Sequence, residues 1–367
     1  MKFFVKLAAL VSVALAVGCA ALLTQHSNPH YNPAKPHHTA NGFQNNYPHM
    51  ANQSFWKWQW ERLRDGTPSP PQGGWANVLP SVKPDVAFLK ANRTERTMTW
   101  IGHATVLLQT SGVNIITDPV FSDRASPVQF AGPKREVPLM MSIDELPMID
   151  VVFISHNHYD HLDAGTIRAF AQRFPKAIYV VPLGFKPWLA DHGIDSVRNV
   201  SELDWWDSVR LGALNYTLVP VQHWSKRTLT DANRMLWGGI VIEDTLGSTA
   251  STPTESWRFL HAGDTGYSQD FKDIGARFPQ GFDWAAIPIG AYEPRWFMKA
   301  QHVNPDEAVQ IMKDVGARQA LGIHWGTFVL TDEALDQPPK DLATALLKHG
   351  VGPSKFHVFK NGEMRRL

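Results

Sequence analysis

The sequence has little that could crosslink it or give it a net charge. Cys19 is the only cysteine among 367 residues, so no intrachain disulfide can form. The formal net charge at pH 7 is +1, without a basic stripe, so a nucleic-acid partner is not expected. The Gly-x-Ser-x-Gly motif is also absent, which excludes the serine nucleophile of that motif. What is present is a hydrophobic content of 44%, enough for a full globular core, and 14 tryptophans.

The chain also lacks a hydrophobic run long enough for a comfortable membrane span. Leu7–Val17 is its first apolar stretch and follows Lys2 and Lys6, which is the pattern of a targeting segment. Ala16-Val-Gly-Cys19 resembles the lipobox of bacterial lipoproteins, with Ala16 where leucine is preferred. We therefore predict a signal peptide with lipobox at residues 1–19, acylation of Cys19, and a lipid-anchored protein of the bacterial cell envelope, at the outer membrane or periplasmic face. An uncleaved anchor and plain secretion are the alternatives.

Residues 20–53 are predicted to be a disordered tether. The stretch 24–50 is rich in Asn, His and Pro and has almost no aliphatic residues, so it offers nothing for a core. Its histidines are interpreted as part of a solvated linker, with metal scavenging as the alternative.

Residues 54–96 are predicted to form an aromatic-rich N-terminal extension. Phe55, Trp56, Trp58 and Trp60 alternate with basic and polar residues. Two interpretations remain open: an amphipathic segment at a lipid surface or substrate entrance, or a helix packed on the main domain.

Apolar runs of strand length recur through residues 97–367, with helical patterns between them. Thr99–Gln109 and Val113–Thr117 are predicted strands, and the Ser/Thr-rich residues 247–256 are predicted to be an exposed loop. The clearest helix follows Asn304, with Pro305 at its first position and Gly316 just past its end. Further strands are predicted at Ile178–Val181, Tyr216–Val221, Leu236–Ile242, Arg258–His261, Ala285–Ile289, Ala320–Ile323 and Phe356–Phe359. This mixture predicts an α/β (α+β) fold of two sheets flanked by helices.

The most informative stretch follows the apolar run 151–154, which predicts a buried strand. It places three histidines and an aspartate within six residues: His156, His158, Asp160 and His161. His156 and His158 are two residues apart and can converge on one ion. Asp160 and His161 are adjacent, diverge from that pair and suit a second ion. Imidazole with carboxylate favours zinc, with iron or manganese as alternatives.

Six further motifs accompany this loop in a fixed order. They are Trp100–Thr105, Thr117–Pro127, Gln222–Trp224, Gly263–Tyr267, Ile289–Met298 and Ile323–Thr327. Together they resemble the metallo-β-lactamase superfamily, and within it the branch that contains the N-acyl-phosphatidylethanolamine-hydrolysing phospholipase D. The resemblance runs from about Trp75 to the C-terminus. It implies an αββα sandwich, here with an N-terminal extension, and a hydrolase domain at residues 97–367.

The resemblance also implies two Zn²⁺ ions per chain and a ligand set. One zinc would be held by His156, His158 and His223, the other by Asp160, His161 and His324, with Asp264 bridging them. Independently, His223, Asp264 and His324 each come just after an apolar strand.

The expected charge of this centre suits an anionic phosphodiester. Two divalent cations, two carboxylates and a bridging hydroxide sum to about +1. The hypothesis is attack of the hydroxide on phosphorus, which would convert N-acyl-phosphatidylethanolamine, or a related phospholipid, into phosphatidate and N-acylethanolamine.

Three residues are predicted to support or orient the metal ligands without binding the metal themselves. His103 is expected to give structural support or a hydrogen bond to a ligand. Asp118 is expected to orient a ligand histidine, and Asp163 to cap the following helix or bond a ligand histidine.

Besides Asp264, two residues are predicted to act in catalysis, and five to contact substrate. His302 is expected to assist leaving-group protonation or phosphate binding, and Tyr159 to lie near the cleft. Gln301, Glu293 and Arg295 are further predicted substrate contacts.

Other functions remain as alternatives. The same fold could serve a soluble ester, lactone or phosphate, or a non-catalytic envelope lipoprotein, although a binding scaffold has no chemical need for seven ligands. A hydrophobic groove leading to the metals would separate a lipid substrate from a soluble one. β-Lactam hydrolysis is not expected, because the lipid-hydrolase motifs distinguish this chain. The membrane surface is the expected partner, and a homodimer is expected by resemblance only.

Overall fold

The computed structural model describes residues 28–49, 53–244 and 256–367. Two seven-stranded sheets and a separate hairpin account for the strands of these ranges. The strands are β1 His38–Thr39, β2 Gly42–Phe43, β3 Thr97–Gly102, β4 Thr105–Thr110, β5 Val113–Thr117, β6 Val151–Phe153, β7 Ile178–Pro182, β8 Val200–Leu203, β9 Ser208–Leu211, β10 Leu214–Val219, β11 Gly239–Asp244, β12 Trp257–His261, β13 Phe282–Pro288, β14 Ala317–Ile323, β15 Phe356–His357 and β16 Met364–Arg366. The helices are α1 Phe55–Asp65, α2 Val86–Ala91, α3 Ala164–Arg173, α4 Lys186–Asp191, α5 Asp270–Arg277, α6 Arg295–Met298, α7 Pro305–Asp314 and α8 Gln337–His349.

The two sheets are built on the same plan. The first has the order β16-β3-β4-β5-β6-β7-β8, and the second has the order β9-β10-β11-β12-β13-β14-β15. In each sheet the first three pairings are antiparallel and the last three are parallel. Parallel pairs need crossover connections, and helices such as α3 and α7 supply them.

The main core lies between the sheets, and helices cover their outer faces. Strand β4 shows the alternation clearly. Val106 and Leu108 belong to the core shared by both sheets, whereas Leu107 packs with Ile167 and Phe170 of helix α3. Apolar residues of α5, α7 and α8 join the core from the side of the second sheet. This arrangement is the predicted αββα sandwich, and the fold prediction is confirmed.

Helix α7 begins where its sequence pattern indicates. The side chain of Asn304 accepts a hydrogen bond from Glu307 N at 2.9 Å, and Glu307 completes a capping box. Pro305 occupies the first turn, where it costs no hydrogen bond. The prediction of one strand over Thr99–Gln109 is wrong, because β3 and β4 pair there as a hairpin that turns between Gly102 and Thr105. The other predicted strands correspond to observed ones, with ends shifted by a few residues. The pattern missed β8, β9 and β16, which are short and carry few apolar residues.

The prediction of a disordered tether is wrong for residues 28–49. Strands β1 and β2 pair there, and Phe43 is only 2% exposed within the main core. The ring nitrogens Nε2 of His37 and His38 each donate to the carboxylate of Asp204, over 2.7 Å. Composition failed because polar tertiary contacts, rather than aliphatic packing, hold this segment.

Helix α1 combines features of both sequence interpretations. Trp58 is buried, stacks on Phe297 with ring centroids 4.7 Å apart, and donates from Nε1 to Asp332 over 2.8 Å. The helix is therefore packed on the domain. Its other face exposes Trp56, 80% accessible, and Trp60, 63% accessible.

The predictions for residues 1–19, including Cys19, lie outside the described residues, as does most of the loop predicted at 247–256. Within the described ranges, no helix has both the length and the apolar character needed to cross a membrane. The extension predicted at 54–96 packs against the domain, because Trp75 and Leu79 lie in the main core.

Candidate metal centre

Loops that follow four strands bring the predicted ligands to one edge of the sandwich. His156–His161 follow β6 of the first sheet. His223, Asp264 and His324 follow β10, β12 and β14 of the second sheet. Strands β10, β12 and β14 all run in one direction, because β11 is antiparallel to both of its neighbours and β12, β13 and β14 are parallel. Their carboxyl ends therefore lie at the same edge.

Three histidines form the first group of ligand atoms. His156 Nε2 lies 2.8 Å from His158 Nδ1, and His223 Nε2 lies 3.3 Å from the same His158 nitrogen. His156 and His223 are buried and His158 is partly buried, and their ring nitrogens lie close enough together to bind one ion. These are the three residues predicted to hold one zinc.

A carboxylate and two histidines form the second group, and a third histidine joins it. His161 Nε2 lies 3.5 Å and His324 Nε2 lies 3.3 Å from Asp160 Oδ2. His103 Nε2 lies closer still, 2.9 Å from the same oxygen. His103 therefore contacts a predicted ligand directly, whereas sequence reasoning had left open whether its role is purely structural.

Asp264 lies between the two groups. Its Oδ2 atom is 3.1 Å from His324 Nε2 and 3.2 Å from His161 Nε2 in the second group. The same oxygen is 3.8 Å from His156 Nε2 and 3.9 Å from His223 Nε2 in the first group. A carboxylate in this position can touch both ions of a pair.

Asp118 sets the orientation of two histidines. Its Oδ2 atom accepts from His161 Nδ1 over 2.8 Å, so Nε2 of that ring faces the centre. It also accepts from the Ser155 hydroxyl over 2.7 Å, and that hydroxyl accepts in turn from His156 Nδ1 over 2.9 Å. Each ring thereby turns its Nε2 atom toward the centre, where a cation would take the place of a proton. Ser155 was missed by sequence reasoning, since a serine beside a metal motif carries no distinctive signal.

Backbone strain is concentrated around the second group. His103, Asp118 and His324 adopt positive φ values of 52°, 37° and 60°, in a region that side chains with a Cβ rarely occupy. His103 O accepts from His324 N over 2.9 Å, and His103 N donates to Thr327 Oγ1 over 2.8 Å. These bonds hold the strained residues in place.

The residues present fit a pair of divalent cations. Tetrahedral zinc with bonds of about 2.0–2.1 Å places its ligand nitrogens about 3.3 Å apart, close to the spacings found here. Several buried polar atoms at the centre have no hydrogen-bond partner among the described atoms: His158 Nε2, His161 Nε2, Asp264 Oδ1 and His302 Nδ1. The donor set is nitrogen and carboxylate oxygen, which suits zinc, iron or manganese.

Four histidines at the centre are held in the neutral form. Burial is the main cause that lowers the pKa of His158 and His302 to about 4. It also holds the pKa of His156 and His223 well below the ordinary value. Neutral imidazole is the form that binds a metal ion.

In the two carboxylates and the remaining two histidines, neighbouring charges and hydrogen bonds outweigh the effect of burial on the pKa. Burial would raise the pKa of Asp160 and Asp264, but neighbouring imidazoles outweigh it and hold both well below the ordinary value. Burial would lower the pKa of His324 and His161, but the carboxylates raise the first to about 9 and the second well above its ordinary value. Both carboxylates are thus anionic at neutral pH, as cation ligands must be.

A cavity of about 730 Å³ opens onto the centre. Its floor includes His158, Asp160, Asp264, His302 and His324. Five aromatic side chains line its walls, two of them from helix α1: Phe55, Trp58, Tyr159, Trp224 and Phe297. The volume falls within the range typical of small-molecule sites, and the aromatic walls suit an apolar ligand.

The structure brings three of the five predicted substrate contacts to this cavity. Tyr159, Gln301 and His302 line it. Tyr159 is fixed by its hydroxyl, which donates to Arg227 O over 2.8 Å.

The other two, Glu293 and Arg295, do not line the cavity, and their role as substrate contacts stays a prediction. The guanidinium of Arg295 donates to Glu307 over 2.7 Å and to His302 O over 2.8 Å. It therefore binds the loop that carries His302. Glu293 accepts from Arg295 N over 2.9 Å. Both residues hold the loop that carries His302. Asp163 caps helix α3 by accepting from Gly165 N over 3.0 Å, and its bonds go to that cap and the neighbouring loop.

A two-sheet sandwich with a histidine and carboxylate centre at one edge defines a metallo-hydrolase of the metallo-β-lactamase fold. A family model described as "Beta-lactamase superfamily domain" matches residues 113–325, more than half of the chain. The fold also resembles that of a solved isothiocyanate hydrolase from Delia radicum gut bacteria, with a TM-score of 0.56 and 18% identity over 74% of this chain and 98% of that one.

Two curated relatives are both named as N-acyl-phosphatidylethanolamine-hydrolyzing phospholipase D. The chain is 44% identical over 275 residues to "N-acyl-phosphatidylethanolamine-hydrolyzing phospholipase D 1" of Caenorhabditis elegans, covering 72% of this chain and 74% of the relative. It is 37% identical to the mitochondrial protein of that activity name from Saccharomyces cerevisiae, covering 66% of this chain and half the length of the yeast protein. The chain belongs to the β-lactamase superfamily, in its N-acyl-phosphatidylethanolamine phospholipase D-like branch, and is a metal-dependent hydrolase.

Proposed function

We propose that this hydrolase is a zinc-dependent phosphodiesterase of the phospholipase D type. Its substrate would be N-acyl-phosphatidylethanolamine or a related membrane phospholipid. The observation that carries the proposal is that a cluster of histidine and aspartate side chains lies at the floor of a cavity with aromatic walls. A soluble phosphate or lactone needs no such walls, whereas acyl chains are held by apolar surface. The names of the curated relatives point to the same substrate class.

The proposed reaction breaks the bond between phosphorus and the ethanolamine oxygen. A water oxygen bonds to phosphorus, phosphatidate forms, and the leaving oxygen takes up a proton to give N-acylethanolamine. When bound, a zinc pair would supply a water of lowered pKa and positive charge against the anionic transition state. The ligands in our proposal are His156, His158 and His223 for one ion and Asp160, His161 and His324 for the other, with Asp264 between them.

Other residues of the chain would position the reacting groups. His302 lines the cavity, and its Nδ1 atom lies 3.9 Å from Asp264 Oδ2. Because its imidazole is neutral, we assign to it a relay role: it would accept a proton from the attacking water and pass it to the leaving oxygen. Arg295 would act through His302, whose carbonyl oxygen it holds. Tyr159 also lines the cavity and would border the bound substrate.

Exposed apolar residues near the cavity would contact the membrane. Trp56, Trp60 and Leu63 are between 63% and 80% accessible and lie on the helix whose Phe55 and Trp58 line the cavity. Phe130 and Leu229, 84% and 94% accessible, lie on the loops that also supply Ala125 and Lys226 to the cavity wall. A bilayer is the partner that suits aromatic and aliphatic side chains exposed on the elements that line the cavity.

Acylation of Cys19 would hold the chain at that bilayer in the bacterial cell envelope. A homodimer is part of the same proposal. The lipid anchor and the exposed aromatic face would act together, because a single membrane signal gives only weak, reversible binding.

The test is product analysis by mass spectrometry. The full chain, loaded with zinc, would be incubated with N-acyl-phosphatidylethanolamine in mixed micelles, beside a chelator-treated sample. We expect phosphatidate and N-acylethanolamine in the first sample and neither in the second. A folded, zinc-loaded chain that yields neither product, but cleaves a soluble lactone or phosphodiester, would replace this proposal with the soluble-substrate alternative.

A further inference from the structure

Residues 28–49 form a segment that we call the N-terminal strap. It supplies no predicted metal ligand, yet it is fastened to the domain at both ends. Near its start, Lys35, His37 and His38 all contact Asp204, at 2.6 Å, 2.7 Å and 2.7 Å. Near its end, Asn46 donates to Asp270 over 2.9 Å, and the Tyr47 hydroxyl donates to Asp273. The part between these anchors is held across the loop that carries His223.

Asn45 makes the contact that matters for the metal centre. Its Nδ2 atom donates to His223 O over 2.9 Å, and its Oδ1 atom accepts from His223 N over 3.0 Å. One side-chain amide thus pairs with both backbone polar groups of one predicted ligand. A pair of this kind mimics one rung of a β-ladder and fixes the position and rotation of the His223 peptide.

The His223 loop needs such a contact because its own ladder has ended. Strand β10 stops at Val219, and the last pairing before His223 is an isolated bridge between Gln222 and Gly266. The imidazole is oriented separately, since His223 Nδ1 donates to Gln301 O over 3.0 Å. Ring and backbone are therefore held by different elements, and the strap holds the backbone.

We infer that Asn45 is a positioning residue for the metal ligand His223. The N-terminal strap thereby contributes to the metal affinity of the centre. The inference rests on the metal assignment within the proposed function. It assigns a role to a stretch whose composition resembles that of a linker. Residues that orient a metal ligand typically change metal affinity by about 10-fold to 100-fold when removed. Asn45 acts on the ligand's backbone, so we expect a loss of about 10-fold for Asn45→Ala.

The experiment is a chelator competition with Zn²⁺ on the full chain, which resolves two binding steps. Asn45→Ala should weaken one step and leave the other unchanged, because His223 belongs to one group of ligands only. Asn45→Ser retains a polar side chain, but it is too short to reach both backbone groups, so it should show the same selective loss. The melting temperature of each metal-free variant reports whether the fold itself has changed.

Asn46→Ala is the matched control. It removes a strap anchor of the same residue type at the adjacent position, but no contact with His223, and it should retain both zinc affinities. The inference is overturned if Asn45→Ala binds zinc like the wild type, or if Asn46→Ala loses as much affinity as Asn45→Ala. His223→Ala tests the underlying assignment separately: if that variant still binds two ions, the metal assignment fails, whatever Asn45 does.

Discussion

Trp58 is the buried residue of helix α1, and its replacement by alanine should weaken the packing of the helix against the cavity. The side chain is 7% exposed, stacks on Phe297 at 4.7 Å, and donates to Asp332 over 2.8 Å. The aromatic pair contributes about 1 kcal/mol. The hydrogen bond to a partly exposed carboxylate contributes about 1 kcal/mol, the typical net value for an intramolecular hydrogen bond. Lost burial of the indole adds about 1–2 kcal/mol.

Together these contributions place the cost of Trp58→Ala at about 3–4 kcal/mol, within the range for truncation of a buried aromatic side chain. At about 1.4 kcal/mol per factor of ten, the open state of α1 should become a few hundred times more populated. Hydrogen exchange measured by mass spectrometry over residues 55–65 would show this as faster exchange, with little change in strands β4 and β13. Turnover of lipid should fall as well, because α1 supplies part of the cavity wall.

Trp60→Ala is the matched control for this prediction. Trp60 lies on the same helix and is 63% exposed, so its truncation should change the free energy of opening by less than about 0.5 kcal/mol. Equal exchange rates in wild type and Trp58→Ala would refute the reasoning, as would an equal acceleration in both variants.

The remaining predictions concern the metal centre, the strap and the membrane face. His158→Ala should lose bound metal and activity together, measured by metal analysis and product assay, and normal metal content would contradict the ligand assignment. His302→Ala should keep its metal but lower turnover by about 10²-fold to 10⁴-fold, the range for a proton-transferring group. Burial would raise the pKa of Asp204, but hydrogen bonds from the strap outweigh it and hold this pKa well below its ordinary value. These bonds therefore stabilise the folded state fully above about pH 4, and their contribution is lost as the pH falls further. The difference in unfolding free energy between wild type and Asp204→Asn should therefore be larger at pH 7 than at pH 3, and a difference that grows in acid would oppose this. Paired replacement of Trp56 and Trp60 by alanine should weaken sedimentation with phospholipid vesicles while turnover of micellar substrate persists; unchanged vesicle binding would remove these residues from the membrane face.

The ligand positions could be predicted from the sequence because each one follows an apolar strand. A strand end is a rigid place, and the carboxyl ends of parallel strands meet at one edge. The loop from His156 to His161 carries enough ligand-type residues to stand out by itself. Helix α7 was equally predictable, since Asn304, Pro305 and Glu307 form a local capping pattern that needs no tertiary context.

The strap and the loop behind the site could not be predicted in the same way. The strap is held by pairs such as His37 with Asp204 and Asn45 with His223, which are more than 160 residues apart in the sequence. Local composition contains no trace of a partner at that distance. Arg295 belongs to a motif rich in functional-looking residues, and only the structure shows that its guanidinium faces Glu307 and a backbone carbonyl. Motif membership indicates proximity to a site, but it does not show which side chains face the substrate.

The central claim is that the centre hydrolyses a phosphodiester at phosphorus. Its most direct test is the reaction of the zinc-loaded full chain with N-acyl-phosphatidylethanolamine in water enriched in ¹⁸O. Cleavage of the bond between phosphorus and the ethanolamine oxygen predicts one ¹⁸O atom in the phosphate of phosphatidate and none in N-acylethanolamine. Label in N-acylethanolamine or in a released fatty acid, or label-free products, would contradict the account.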